Sequence, residues 1–381
     1  MFTTEKITIL DGSTGKNMIK AGMPAGVSPE RWILDNPDKL TALQRSFVDA
    51  GSDAVYAPTF GANRLELEKH GLAGELACMN AGLVALSKQA VGGRALVGGD
   101  MTALGLFLKP YGEYCFDDLF DVYAEQAAAL EAAGVDFFAV ETMMSLAEAR
   151  AAVLAVRSVS QKPIICTMTF EQSGKTLYGT DPVAALVTLQ AMGVSAFGVN
   201  CSTGPSLVLS VLEKLAPYAK ISLVAKPNAG VPAVDENGNA VYKMTPAEFA
   251  SYTERFASLG VRLMGGCCGT DASHIAALKK SVDSLTVAPF SPSAVQAAAN
   301  ERSAFFDFKN HTVCELNRYE DAAAFEEEQY FTDGAVCFRA NDADVLERAL
   351  RVYNGRALFD KAGHGDKTIE RLAGMYGAIA I

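Results

Sequence analysis

The sequence predicts an α/β chain built as a (βα)8 TIM barrel followed by a small α/β C-terminal extension. Three observations carry this. Eight short apolar, β-rich runs recur between residues 7 and 266. Alanine- and leucine-rich segments of helical spacing separate them, and several close on glycine just before the next run. Strand and helix alternate eight times over about 280 residues, the size of one barrel of parallel strands with crossover helices.

The runs are "ITILD" (7–11), "DAVYAPT" (53–59), "ALVGGD" (95–100), "DFFAVE" (136–141), "PIICTMT" (163–169), "AFGVN" (196–200), "ISLVAKP" (221–227) and "VRLMGG" (261–266). Their near-continuous apolar character suits a sheet covered on both faces. Segments such as "FDDLFDVYAEQAAALEAAG" and "DPVAALVTLQAMG" read as amphipathic helices, with Gly134, Gly193 and Gly260 as C-caps. A doubly wound open sheet shares this alternation. The barrel is preferred because several strand ends must converge on one point. The stretch "SLTVAPFSPSAVQAAANERS" breaks the rhythm with two prolines and small residues, which places a boundary near 285–300. The expected division is 1–288 for the barrel and 300–381 for a small βαβαβ-like domain of unknown role. In the latter, "AVCFRA" (335–340), "RALFDK" (356–361) and "YGAIAI" (376–381) read as strands, and "NRYEDAAAFEEEQYFTDG" as an acidic helix.

The 381 residues carry a net charge of −11, which argues against a nucleic-acid partner, since that needs a basic face. No apolar stretch reaches the roughly 18 residues of a membrane span, and the first residues lack the basic and apolar regions of a signal peptide. A cytoplasmic protein with reduced thiols is expected. Eight cysteines are too sparse for a disulfide scaffold.

Three of those cysteines stand apart. Cys201 follows the sixth run in "GVNCSTGP". Cys267 and Cys268 follow the eighth in "MGGCCGT". In a barrel both ends open on the same C-terminal mouth, where active sites of this architecture lie. Three thiolates without a fourth protein ligand resemble a catalytic zinc site, which keeps one position for substrate. So sulfur-rich a shell is a weak activator of water and better suited to holding a substrate thiolate. Cys78, Cys115, Cys166, Cys314 and Cys337 read as small buried hydrophobes. His274, after Thr270 and Asp271, reads as part of a capped helix start and not as a fourth ligand. "DGSTGKN" is not a phosphate loop, because Leu10 stands where the first glycine is required and Asn17 where Ser or Thr is.

The two cysteine motifs are similar to the zinc motifs of the homocysteine S-methyltransferase family. "ILDGSTGKNM" resembles the family's opening strand and turn, and "PTFGANRLELEKHGL" its second-strand segment. "MTFEQSGKTLYGTDP" and "KPNAGVPAVDENGNAVY" resemble most closely the homocysteine-binding module of cobalamin-dependent methionine synthase. The second strand departs from a Thr-Asn-Thr-Phe pattern at Ala57 and Pro58. The likeness spans about residues 5 to 285. It implies zinc held by Cys201, Cys267 and Cys268, homocysteine as substrate, and transfer of a methyl group to its sulfur to form methionine. It also implies that Asp11 and Glu141, at the ends of the first and fourth runs, contact the substrate ammonium. The Gly12–Ser13 turn offers N–H groups for the carboxylate. Asn200 and Asn228 either orient the cysteine loops or cap turns. The methyl donor is expected to be methylcobalamin on a separate corrinoid protein. The chain lacks the Asp-x-His-x-x-Gly cobalamin signature, and "DKAGHGD" has the wrong spacing. Direct use of betaine or S-methylmethionine, or a non-catalytic homocysteine- or zinc-binding role, are the alternatives.

Overall fold

The computed structural model describes residues 2, 6–234, 240–285, 287 and 289–381. The "DENGN" part of the 226–242 motif, residue 5 at the start of the family likeness and residue 288 at the expected barrel boundary lie outside the described residues. Eight parallel strands form one sheet: β1 (Thr8–Ile9), β2 (Ala54–Ala57), β3 (Leu96–Thr102), β4 (Phe137–Met143), β5 (Ile164–Met168), β6 (Ala196–Cys201), β7 (Ser222–Pro227) and β8 (Val261–Met264). Their order is β1-β8-β7-β6-β5-β4-β3-β2, so the ends of the sheet meet at β1 and β2. All eight runs read from the sequence are strands, and Gly134, Gly193 and Gly260 take positive φ after their helices.

The β1/β2 seam is closed largely by side chains. The Ile9 N–H donates to Asp53 Oδ2 at 2.8 Å, and the Asp53 N–H returns a bond to Ile9 O at 2.7 Å. The Tyr56 N–H donates to Asp11 Oδ2 at 2.8 Å. Two aspartates thus satisfy backbone donors that a regular ladder would otherwise serve.

Alternation along the strands fills the barrel. Ala54, Tyr56, Phe137, Ala139, Ile165, Ala196, Val224 and Leu263 cluster inside it, while Val55, Phe138, Val140, Phe197 and Val199 pack outward in the main core. Gly98 has no room for a side chain, since a Cβ there would lie 2.4 Å from the Phe137 ring.

A four-stranded parallel sheet follows: β9 (Thr312–Glu315), β10 (Val336–Arg339), β11 (Leu358–Phe359) and β12 (Ile379–Ala380), paired in chain order. The sequence reading gave three of these strands. It missed β9 because that edge strand is mostly exposed and leaves no apolar run. An antiparallel pair, Ala298–Ala299 with Ala304–Phe305, starts within the stretch where the boundary was expected. This pair packs on the Pro182–Ala191 helix through Ala297 and Ala299.

The C-terminal unit explains a helix that otherwise defies amphipathic logic. Every residue from Leu146 to Val156 of the Leu146–Val159 helix is buried. A helix buried on all sides needs cover on all sides. The barrel covers one side, and the Ala343–Val352 helix meets its buried Arg150. Arg150 donates to the Leu350 and Arg351 carbonyls at 2.8 and 3.1 Å, occupying acceptors that the helix end leaves free. Among the described residues no helix is long and apolar enough to cross a membrane.

Glu148, on the same Leu146–Val159 helix, accepts bonds from the Leu104 N–H and the Tyr123 hydroxyl. Burial pushes its carboxyl up to about 7 from 4.5. A carboxyl raised in the folded state contributes stability that is present at acidic pH and lost as pH rises through its folded value. The loss attributable to Glu148 should reach about 3 kcal/mol above pH 7. Urea unfolding of Glu148→Gln against the parent at pH 5 and pH 8 should therefore show the variant relatively more stable at pH 8.

Candidate metal centre and active site

The three expected cysteines meet. The Sγ atoms of Cys201, Cys267 and Cys268 all lie within 4.8 Å of one another. The end of β7 brings them together by stitching two loops. The Asn228 N–H donates to Cys201 O at 3.3 Å, the Ala229 N–H to Cys268 O at 2.9 Å, and the Cys267 N–H to Pro227 O at 2.8 Å. Asn228 Nδ2 adds a bond of 2.6 Å to Ser202 O. Cys201 and Ser202 are held at φ 57° and 59°, a region costly for residues with a Cβ and typical of functional sites. Gly266 is obligatory in the other loop, because a Cβ there would lie 2.4 Å from Thr270 Oγ1.

The thiols interact strongly. Hydrogen bonds from Cys201 and Cys267 pull Cys268 down to about 3, with Tyr242 contributing. The same contacts push Cys267 well up, and Cys201 is pushed up to about 12. Three soft donors within one ion's reach, opening on a cavity, fit a tetrahedral metal with one position free. His274 does not join them. Its ring nitrogens face Asp271 Oδ1 at 2.9 Å and Met244 O at 3.1 Å, while Asp271 caps the Ala272–Asp283 helix as the sequence suggested. Among the other cysteines, Cys166 and Cys337 are buried as expected, Cys115 and Cys314 are half-buried, and Cys78 is exposed. The Cys78 thiol donates to Glu75 O at 3.0 Å, so it is not a core residue.

The thiols share a cavity of about 300 Å³ with Asp11, Glu141, Gly12 and Ser13. Two residues that the sequence reading passed over, Asp100 and Lys226, line it as well. Lys226 Nζ lies 3.1 Å from Asp11 Oδ1, 3.5 Å from Glu141 Oε2 and 3.6 Å from the centre of the Tyr56 ring. Burial opposes its charge, but the pull of Asp11 and Glu141 prevails and holds the ammonium well above the ordinary lysine range. Burial raises the Asp11 and Glu141 carboxyls, and Lys226 offsets only part of that. Burial and then the Glu141 charge push Asp100 well up. Asp100, Glu141 and Lys226 each sit two residues beyond lumen positions, namely Gly98, Ala139 and Val224. That two-residue period was the sequence signal that could have found them.

Asn200 is fully buried and committed to Thr142. Its Oδ1 accepts from the Thr142 N–H at 3.0 Å, and its Nδ2 donates to Thr142 Oγ1 at 2.7 Å. Thr142 has φ 61° and sits in an irregularity of β4 directly after Glu141. Asn200 thus ties the end of β6 to Thr142, and Asn228 ties the end of β7 to the Cys201 loop. The Gly12–Ser13 turn is less open than expected. The Ser13 N–H donates to Thr270 Oγ1 at 3.2 Å, and a Cβ on Gly12 would lie 2.8 Å from the Phe47 ring.

The family profile described as Homocysteine S-methyltransferase matches residues 8–282. The chain belongs to this family. Its members transfer methyl groups, and the match spans the whole barrel. The methionine synthase of Mycobacterium tuberculosis is 30% identical over 300 residues, which cover 74% of this chain and 25% of that protein. The Mycobacterium leprae methionine synthase is 30% identical over 289 residues, covering 71% and 24%. The chain thus matches about a quarter of the length of these relatives. Crystal structures of the Escherichia coli homocysteine methyltransferase MmuM, in oxidized and metallated forms, superpose with TM-scores of 0.62 at 22% identity. They cover 72% of this chain and 95% and 96% of the MmuM chains, and they share its fold.

Lys226 is the cation that makes three buried carboxylates tolerable. Lys226→Met should destabilise the protein by about 3 kcal/mol or more at neutral pH, the scale of breaking a buried ion pair. Without the ammonium, the folded carboxyls rise further, so stability is lost as pH increases. Urea unfolding should show a larger deficit at pH 8 than at pH 5. An equal deficit at both would mean that Lys226 contributes packing alone.

Proposed function

We propose that this chain is a zinc-dependent homocysteine S-methyltransferase that forms methionine. One observation carries the reading: three thiols converge at the barrel mouth, in the same cavity as a buried cluster of carboxylates. When bound by Cys201, Cys267 and Cys268, zinc supplies the acidity that keeps a substrate thiol deprotonated near neutral pH. The stitched Pro227–Ala229 backbone fixes the thiols, so little reorganisation is needed when substrate enters. The carboxylates at the buried end offer an anionic partner for the substrate ammonium. The homocysteine sulfur attacks a methyl carbon. A sulfur–carbon bond forms as the donor–methyl bond breaks, and that electron pair leaves with the donor.

We propose further that the donor is methylcobalamin on a corrinoid protein. The loops that follow β2, β3, β5 and β7, on the C-terminal face of the barrel, expose Phe60, Phe107, Leu177 and Val231, and Phe60 also lines the cavity. An apolar rim of this kind suits a bulky, partly apolar group better than a small quaternary cation. The resemblance to a module of cobalamin-dependent methionine synthases supports the same choice. Reduced thiols fit a cytoplasmic setting.

Metal analysis should find one zinc per chain, lost from Cys201→Ala, Cys267→Ala and Cys268→Ala. Full zinc in any of these variants would remove that residue from the ligand set. The purified zinc protein should methylate homocysteine from methylcobalamin, faster with a corrinoid carrier, and not from betaine or S-methylmethionine. Turnover with either of the latter would overturn the corrinoid reading. Silence with every donor, combined with retained homocysteine binding, would favour a binding protein.

A further inference from the structure

The resemblance assigns the substrate ammonium to Asp11 and Glu141, but in this chain Asp11 is already occupied. Its Oδ1 takes the Lys226 ammonium, and its Oδ2 takes the Tyr56 N–H across the barrel seam. Both contacts are buried, and each has a structural purpose. Asp100 is different. It is 6% exposed, lines the cavity, and its Oδ1 has no hydrogen-bond partner. An unpartnered carboxylate oxygen removed from water is costly, and a ligand in the adjoining cavity is one way to offset that cost.

The charges lead to the same place. At the buried end of the cavity stand three carboxylates, Asp11, Asp100 and Glu141, with one ammonium, Lys226. Glu30, also on the wall, is met by the Gly61 N–H at 3.0 Å and the Ser28 hydroxyl at 3.0 Å. Lys16 is half-buried and acts on Cys268, at the thiol end. Lys226 leans toward Asp11, and its 3.5 Å approach to Glu141 is the longer of the two. A second cation would therefore be drawn to Asp100 and Glu141, since the Glu141 charge raises the proton affinity of Asp100. These two lie on neighbouring strands, where Thr102 of β3 is in register with Glu141 of β4.

We infer that Asp100, together with Glu141, binds the ammonium group of the substrate and makes the site selective for thiols that carry one, while Lys226 withholds Asp11 from substrate. The inference rests on the reading of the cavity as a homocysteine site and adds the residue that recognises the amino end. In this arrangement Lys226 acts as an internal counter-ion. It spends its charge on Asp11 and leaves one anionic vacancy for the substrate to fill.

The test is calorimetric binding of two thiols to the zinc-loaded protein: homocysteine, and 4-mercaptobutyrate, which is the same molecule without the amino group. The parent protein should prefer homocysteine at least tenfold. Asp100→Asn should bring the two within about threefold, mainly by weakening homocysteine, with zinc content unchanged. Its melting temperature without substrate should equal or exceed that of the parent at pH 8, because the substitution removes a charge and no Oδ1 partner. That opposite movement of stability and affinity is not what a merely structural residue would give. An Asp100→Asn protein that keeps the tenfold preference overturns the inference. So does an Asp11→Asn protein that folds, keeps zinc and is the one to lose the preference. Equal binding of both thiols by the parent overturns ammonium recognition and leaves the thiol site standing. Failure of the zinc-loaded parent to bind either thiol overturns the homocysteine reading and this inference together.

Discussion

A lysine ammonium deep in a barrel has to be matched, and the match made here organises both closure and chemistry. Lys226 reaches from β7 to Asp11 beyond β1 and toward Glu141 on β4, with the Tyr56 ring of β2 as a third neighbour. Four strands around the circumference are thus tied by one charge. Asp11 adds the bond that completes the β1/β2 seam, where the regular ladder is lacking. The gain from pairing and the cost of desolvation are each several kcal/mol and largely cancel. What remains is geometric specificity: the seam closes in one register, and the polar layer sits directly above the apolar lumen.

The thiol cluster depends on backbone more than on charge. Cys201 lies in a left-handed conformation that its own chemistry disfavours, held there by Asn228 from the next strand end. Cys267 and Cys268 can be adjacent in sequence and near one point only because glycines flank them, Pro227 O accepts from the Cys267 N–H and the Ala229 N–H donates to Cys268 O. Strain of this kind survives where the surroundings over-determine it. A metal completing the cluster would gain from donors already collected, with little chain entropy left to lose.

The barrel was legible because its strands repeat a simple physical pattern. Apolar runs, helices ending on glycine, and thiols at two strand ends all report local constraints that a sequence states directly. The fourth C-terminal strand was not legible, since Thr312–Glu315 is exposed and edge-like and lacks the apolar signature. Asp100 and Lys226 were missed for another reason. An aspartate after "GG" and a lysine before proline each read as turn residues when taken alone. Their meaning lies in the two-residue register that carries them from Gly98 and Val224 into the lumen. Asp11 illustrates the converse. The sequence placed it at the mouth correctly, but its partners come from residues 45 and 215 positions away, and no local pattern encodes them.

The C-terminal unit bears on the site through the chain that follows β4 and β5. Glu301 Oε1 accepts from the Ser145 hydroxyl at 3.2 Å, the Leu146 N–H at 3.3 Å and the Thr180 hydroxyl at 3.3 Å. The Asp181 N–H donates to the Glu301 carbonyl at 3.2 Å. One residue beyond the barrel therefore fixes the starts of two barrel helices, and a carboxylate at a helix N-terminus is favoured by the helix dipole. The first of those helices begins only a few residues after Glu141 and the strained Thr142. Arg150, farther along the same helix, takes carbonyls of the extension in return. The extension and the β4 end thus share one buried helix as a common support. That helix is alanine-rich and buried on all sides from Leu146 to Val156, so residues 297–381 supply cover that the barrel alone leaves open on its β4 side.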